Sequence, residues 1–253
     1  MPLRIDRTGE QNRNTDGYLM TIIQYKNNHD IIVQFENGYQ VHTDYDSFRK
    51  GLIRDRFSPS VYGVGVIGEL RSGNNYEHSK EYATWKRMLE RCFSDDWKKQ
   101  NPHYKNTTCC EEWFYYPNFY DWITQQENYD KWLNGSYWAL DKDIINKGNQ
   151  IYSPDNCCLV PQYINQQFIK PSRKNITGYR GVRHEHCKQN LYYVCFKNEN
   201  NKYISRSGFT NPEDAFEYYK KAKKEVIRKI AEREYSLGNI STKCYEAMIN
   251  YEV

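Results

Sequence analysis

Residues 138–165 constrain the fold of this 253-residue chain more than any other stretch. They begin with a short β-prone run that ends at Asp141, Lys142 and Asp143 and continue into a polar loop. A second apolar run then leads into a predicted helix that carries Asn165. Two strands, a loop and a helix, with oxygen ligands at both ends, predict a small ββα unit that can hold a metal ion or a phosphate.

The composition favours several small domains over one large domain. Only 38% of the residues are hydrophobic and the mean hydropathy is −0.98, whereas 24 Tyr and 6 Trp supply much of the area that can be buried. We predict an α+β fold in three parts. These are a β-rich module of SH3-like size at residues 1–72, a ββα unit with supporting helices at 73–170, and a three-stranded sheet plus helix at 171–253.

The formal charge of +4 is too small to identify a partner by itself, so local clustering of charge must carry that argument. No run is long and apolar enough for a membrane span, and the first residues lack the apolar core of a signal peptide. We therefore expect a cytoplasmic protein without a membrane partner.

Eight cysteines in a cytosolic chain of this length favour reduced thiols over a disulfide framework. A set such as Cys92, Cys110 and Cys157, with a fourth ligand, could hold a structural Zn²⁺ ion. The chain has no Cys-x-x-Cys pair, so buried thiols that pack as small hydrophobic groups are the alternative.

The first third of the chain is rich in β-prone runs. Two runs after Gly17 are separated by the polar residues 26–30, and the second run contains an Asn-Gly pair at residues 37–38, which is typical of a hairpin turn. Residues 61–68 alternate Val and Gly and predict a further strand. This module could dock nucleic acid or protein, or it could be a structural cap.

Two helices are expected to support the ββα unit. Residues 81–93 have apolar side chains at helical spacing, with basic residues on the opposite edge. A second aromatic-rich helix is predicted near Pro117. The simplest interpretation of both apolar stripes is that they form core.

Residues 81–168 resemble the HNH-type (ββα-metal) endonucleases that phages encode, including free-standing homing endonucleases. That resemblance implies phosphodiester cleavage with Mg²⁺ or Mn²⁺. The matching positions are Asp141 for the metal-ligand Asp, Lys142 for the usual His, Asn156 for the loop-pinning Asn, Cys157 for the usual Leu and Asn165 for the ligand on the helix.

Lys142 is the important departure from that family. The family's His takes a proton from the attacking water, whereas a lysine side chain is normally protonated at pH 7. On a regular strand Asp141 and Asp143 would share one face and could hold a divalent cation, with Lys142 on the other face. Two interpretations remain open, namely an active nuclease with Lys142 and Asp143 as rearranged catalytic groups, and a weakened copy. The alternative that needs no resemblance is structural. Asp141 and Asp143 are then ordinary charges at the end of a strand, and Asn156 caps a turn.

The last third combines three β runs with a helix. The runs are predicted at residues 179–184, 191–197 and 202–207, and Thr-Asn-Pro-Glu at 210–213 predicts a helix start. Tyr-Arg-Gly-Val-Arg at 179–183 and Tyr-Val-Cys-Phe at 193–196 resemble the AP2-type DNA-binding domain, which also occurs attached to phage HNH endonucleases. The resemblance implies a sheet that lies in the major groove of double-stranded DNA.

Charge supports the same interpretation. Residues 170–206 contain nine Lys or Arg and only two Glu, which is a concentrated basic region. A solvated basic sheet is the alternative, and a metal held by His184 and His186 is another. The resemblance to the AP2-type domain implicates Arg180, Arg183, His184, Lys197 and Arg206 in DNA contacts.

Together these observations predict a phage-type, metal-dependent DNA endonuclease or nickase in the cytoplasm of an infected host cell. One alternative is a DNA-binding protein whose nuclease unit has lost its base. Another is a phage inhibitor that uses the same scaffold against a host defence complex. Lys142 favours the two alternatives over the first function.

Overall fold

The computed structural model describes residues 5–69, 76–168, 176–185 and 191–253. It shows a mixed α+β fold with several small sheets, so the predicted fold class is confirmed at that level. The chain divides into two compact units, residues 1–121 and 122–253. The three domain boundaries expected from the sequence stay a prediction.

The first unit begins with a four-stranded antiparallel sheet in the order β1-β2-β3-β4. Alternate residues of its central strands, such as Ile22 and its neighbour Val33, are buried, because successive side chains point to opposite faces. The predicted hairpin is confirmed, since Gly38 turns the chain at φ +86° between the third and fourth strands. The strands are β1 (Gln11–Arg13), β2 (Leu19–Asn27), β3 (Asp30–Phe35) and β4 (Gln40–Thr43).

The strand predicted at residues 61–68 is wrong. The segment forms a turn with two isolated bridges, one between Val61 and Gly65 and one between Val66 and Tyr115. Gly68 has φ +66°, and a Cβ atom there would lie 2.2 Å from the Tyr115 ring. The glycines therefore allow tight turns and close packing against aromatic rings. Their alternation with Val in the sequence resembles the pattern of a strand.

The helices of this region follow the apolar stripes. The helix predicted at 81–93 is confirmed, with Ser79 as the N-cap, and Trp85 on its buried face donates from Nε1 to the Trp113 carbonyl at 2.6 Å. The short β5 is Thr108–Cys109. The helices are α1 (Tyr45–Arg49), α2 (Lys80–Phe93), α3 (Asp95–Gln100) and α4 (Tyr116–Thr124), which continues past residue 121.

The second unit contains a two-stranded and a three-stranded antiparallel sheet, β6-β8 and β11-β10-β9. Its longest helix, α7, has 25 residues, and none of the described helices is long and apolar enough to cross a membrane. The elements are α5 (Tyr129–Asn134), β6 (Trp138–Asp141), β7 (Ile151–Tyr152), β8 (Cys158–Pro161), α6 (Gln162–Phe168), β9 (Val182–His184), β10 (Tyr192–Lys197), β11 (Tyr203–Phe209), α7 (Pro212–Ser236) and α8 (Thr242–Ile249).

One hydrophobic core joins these elements. Val160 and Ile164 from β8 and α6 pack in the same buried cluster as Val194 from β10 and Ile227 from α7. Gln167 of α6 adds polar links to the same cluster of elements. Its side-chain oxygen accepts from Lys223 Nζ at 2.5 Å, and its carbonyl accepts from Arg180 at 3.4 Å. The ββα segment and the three-stranded sheet are therefore parts of one folded unit.

Candidate functional site

The order strand, loop, strand, helix expected at residues 138–165 is present. β6 pairs antiparallel with β8, so that Asp141, the last residue of β6, lies opposite Cys158. α6 starts directly after β8, and its first turn carries the half-buried Asn165. The backbone thus forms a small ββα arrangement around the loop at residues 142–157.

Asp141 caps the start of that loop. Its carboxylate Oδ1 accepts the backbone N–H groups of Asp143 at 2.8 Å and Ile144 at 2.7 Å. The residue is only 6% exposed, and this burial raises the pKa of the Asp141 carboxyl to about 6, although the two N–H donors act in the opposite direction. Oδ1 is therefore engaged in structure, and Oδ2 is the oxygen left to meet a ligand.

The expectation that residues 141–143 continue one regular strand is wrong. β6 ends at Asp141, because the two N–H groups that bond its carboxylate turn the backbone away from the sheet. Lys142 and Asp143 therefore do not point to opposite faces. Lys142 Nζ lies 2.7 Å from Asp143 Oδ1.

Lys142 holds the loop closed from the inside. The residue is only 7% exposed, and besides Asp143 its Nζ donates to the Asn149 carbonyl at 3.0 Å. A second hydrogen bond joins the same two residues, since Asn149 Nδ2 donates to the Lys142 carbonyl at 2.9 Å. The Tyr152 ring centroid lies 5.8 Å from the ammonium. The lysine donates hydrogen bonds that fix the loop, which is a structural role.

Asn156 links two other points of the same loop. Its Oδ1 accepts from Asn146 Nδ2 at 2.6 Å, and its Nδ2 donates to the Ile151 carbonyl at 3.4 Å. Both contacts join residues of the loop, and the role of Asn156 taken from the resemblance stays a prediction.

The residues around Asp141 form a sparse ligand set for a resident Mg²⁺ or Mn²⁺ ion. Mg²⁺ is octahedral and is usually held by one or two carboxylates together with waters and substrate phosphates. Asp141 offers one oxygen, and the carboxylate of Asp143 already pairs with the Lys142 ammonium. Among the described residues, no group of three or more His, Cys, Asp or Glu could hold a metal ion. The metal role of Asp141 and Asn165 stays a prediction.

The cysteines named for zinc occupy different environments. Cys92 and Cys110 belong to the first unit and Cys157 to the second, and Cys92 and Cys157 are buried. A hydrogen bond from Cys109 lowers the pKa of the half-buried Cys110 thiol to about 7. Burial of the other two thiols is what packing as small hydrophobic groups requires. Zinc binding stays a prediction.

The three-stranded sheet has one face on α7 and one open face. Val194 and Phe196 of β10 are buried in the core that includes α7, so the residues between and beside them point the other way. Arg183 lies opposite Tyr193 on this open face and is exposed. The open face, as we use the term below, consists of Arg183, Tyr193, Cys195, Lys197, Tyr203 and Ser205.

Two of the predicted DNA contacts lie on the α7 face instead. Arg206 pairs with Val194 and its guanidinium lies 4.6 Å from the Tyr218 ring centroid of α7. His184 pairs with Tyr192, with 4.6 Å between ring centroids, and Tyr192 packs on the core. Tyr203 is the partner of Lys197 and lies on the open face. Arg206 is three residues further along β11, so its side chain lies on the other face of the sheet.

Arg180 points in a third direction, towards the Gln167 carbonyl of α6. Sequence reasoning also missed two aromatic residues, Tyr193 and the 72% exposed Tyr203, which share the open face with Arg183 and Lys197. The alternation along β10 was the available signal for Tyr193. Five residues of this region that entered the sequence-based predictions lie outside the described residues. They are His186 and the basic residues Lys170, Arg173, Lys174 and Lys188.

No family model, no curated protein and no solved structure matches this chain. The arrangement of the protein's own side chains is therefore what indicates its function.

Proposed function

We propose that this protein binds double-stranded DNA through the open face of the sheet β9–β11. The observation that supports the proposal is the combination of two cations, Arg183 and Lys197, with the rings of Tyr193 and Tyr203 on one solvent-facing surface. Cations neutralise phosphates and supply most of the affinity for nucleic acid. Hydroxyl-bearing rings can contact sugar, phosphate or base edges.

The dimensions of the open face suit the major groove. Tyr193, which lies beside Arg183, is four residues from Lys197 along β10. At about 3.4 Å per residue the two cations are separated by roughly 14 Å along the strand direction. The major groove is about 12 Å wide and admits a β-sheet, so one cation can meet the phosphates of each groove wall.

In this proposal the ββα segment is an HNH-like scaffold that has lost its base and supports DNA binding without cleaving. Lys142 stands where the family's His would act, and its ammonium is bonded to Asp143 and to the Asn149 carbonyl. An ammonium group has three N–H donors and no lone pair, so in that form it cannot accept a proton from water. Cleavage by a rearranged site is the competing function, and the assay below separates the two.

The binding test uses fluorescence anisotropy with a labelled duplex and variants on both faces of the sheet. Arg183→Ala and Lys197→Ala should each weaken binding and lower the slope of log affinity against log salt by about 0.9. Arg206→Ala is the matched control, because it removes an exposed arginine from the α7 face of the same sheet. Equal losses for Arg206→Ala and Arg183→Ala would refute the assignment of the open face. If the wild type does not bind duplex, a protein partner becomes the better interpretation.

The cleavage test uses supercoiled plasmid with Mg²⁺ or Mn²⁺. Asp141→Asn is preferable to Asp141→Ala, because the amide oxygen can still accept the two backbone N–H groups that bond Oδ1. We expect no nicking by the wild type or by Asp141→Asn. Nicking by the wild type that Asp141→Asn abolishes would restore the nuclease interpretation.

A further inference from the structure

Two lysines from separate elements converge on one acidic residue near the end of the described chain. Lys147, from the loop after β6, donates from Nζ to the Glu252 carbonyl at 2.6 Å. Lys224, from the middle of α7, forms an ion pair with the Glu252 carboxylate. Three lysines, these two and Lys220, act together to hold the pKa of the Glu252 carboxyl below its usual range, with the Lys224 hydrogen bond as the largest cause.

The neighbouring Tyr251 strengthens the attachment of this segment. Its ring packs edge to face on Phe168 of α6 at 4.8 Å, and the Lys147 ammonium lies 5.3 Å from the ring centroid. Tyr251, Glu252 and Lys147 also line an open cleft of about 440 Å³, together with Lys243 of α8. The segment 251–252 thus covers a surface that is basic beneath it.

The contact with Glu252 is one that an anion in solution could replace. The side chains of Glu252 and Lys224 are 78% and 48% exposed, and exposed ion pairs are weak and screened by salt. A phosphodiester carries one negative charge and accepts hydrogen bonds from ammonium groups as a carboxylate does. Loss of the Glu252 carboxylate would leave Lys224 without this partner beside Lys147, which keeps its bond to the backbone carbonyl.

We propose that Lys147 and Lys224 form a second phosphate-binding surface for duplex DNA, which Glu252 occupies until the nucleic acid displaces it. This inference rests on the DNA-binding function proposed above. It adds a contact from the exposed side of α7, the helix that covers the other face of the sheet, and it makes the segment 251–252 an internal competitor of DNA. The Glu252 carboxylate therefore weakens the binding of duplex DNA, although Glu252 is not one of the residues of the open face.

The test measures duplex affinity for Glu252→Gln, which removes the carboxylate and keeps the backbone carbonyl that Lys147 contacts. An exposed ion pair corresponds to a factor of about two to five in affinity, so Glu252→Gln should bind two- to fivefold more tightly than the wild type. Glu246→Gln is the matched control, since Glu246 is exposed, lines the same cleft and forms no ion pair with a lysine among the residues that the structure describes. Glu246→Gln should bind as the wild type does.

Lys224→Ala tests the phosphate contact directly. It should lower the salt slope by about 0.9, and Glu252→Gln should give no gain in the Lys224→Ala background. Equal affinities for Glu252→Gln and Glu246→Gln, or an unchanged slope for Lys224→Ala, would overturn the inference.

Arg183→Ala, measured in parallel, separates this result from the parent proposal. If Arg183→Ala weakens binding while the Glu252 and Lys224 variants have no effect, only the second surface is refuted. If only the Glu252 and Lys224 variants change affinity, the second surface stands and the open face is refuted. If neither the wild type nor Glu252→Gln binds duplex, both fail.

Discussion

The buried carboxyl of Asp141 should make the protein less stable at neutral pH than its amide counterpart. Burial raises the pKa of this group from its ordinary value of 3.8 to about 6 in the folded protein. Below pH 3.8 the group is protonated in both states. Between 3.8 and about 6 only the unfolded chain loses the proton, so rising pH favours unfolding. Above pH 6 both states are ionised and the loss is complete.

The magnitude follows from the two pKa values. The difference between about 6 and 3.8, at 1.36 kcal/mol per pH unit, is about 3 kcal/mol. Asp141→Asn removes the charge and keeps an oxygen that can accept from the N–H groups of Asp143 and Ile144. Because a small part of this loss has already occurred at pH 4, the stability of Asp141→Asn relative to the wild type should rise by about 2 kcal/mol as the pH rises from 4 to 7.

Urea denaturation at pH 4, 5, 6 and 7 checks this expectation. Asp155→Asn is the control, because the Asp155 side chain is 98% exposed and its difference from the wild type should stay nearly constant with pH. A difference between Asp141→Asn and the wild type that does not grow with pH would refute the reasoning. Excess Mg²⁺ adds a second readout, since an ion bound to Asp141 would lower its pKa and flatten the dependence. We expect no flattening.

Two further changes test the loop and the sheet. Lys142→Met should lower the free energy of unfolding by about 1–3 kcal/mol in urea titrations, because it leaves the Asn149 carbonyl and the Asp143 carboxylate without their ammonium partner. An unchanged value would contradict the structural role of Lys142. Gly181→Ala should lower the free energy of unfolding by a similar or larger amount, because Gly181 has φ +74° and the new Cβ would lie 2.3 Å from the Tyr219 ring. A variant as stable as the wild type would contradict this packing.

Local patterns predicted the elements of this fold well. The Asn-Gly hairpin, the helix that begins after Ser79 and the helix that begins after Asn211 each depend on side chains within a few residues of the turn or cap. The same locality explains the error at residues 61–68. Alternation of Val and Gly is typical of a strand, but whether Gly68 is needed for close approach to Tyr115 depends on a residue 47 positions away.

The candidate site was less predictable, because it depends on which residues meet. Sequence spacing placed Lys142 near two carboxylates, but the bond from Lys142 to the Asn149 carbonyl requires the loop conformation itself. Likewise the sequence shows how many Lys and Arg residues lie between 170 and 206. The side of the sheet on which Arg206 lies depends on its pairing with Val194. A single sequence reveals which residues are buried and not their partners.

Side-chain contacts explain what holds the loop of the ββα segment in its conformation. Four side chains, those of Asp141, Lys142, Asn149 and Asn156, bond to the backbone or to one another within residues 141–156. The loop is therefore held by protein groups. The buried Lys142 donates two of these hydrogen bonds and so stabilises the loop. Chelation with EDTA should accordingly leave the unfolding midpoint of the protein unchanged, and a drop in that midpoint would show that an ion contributes to the fold.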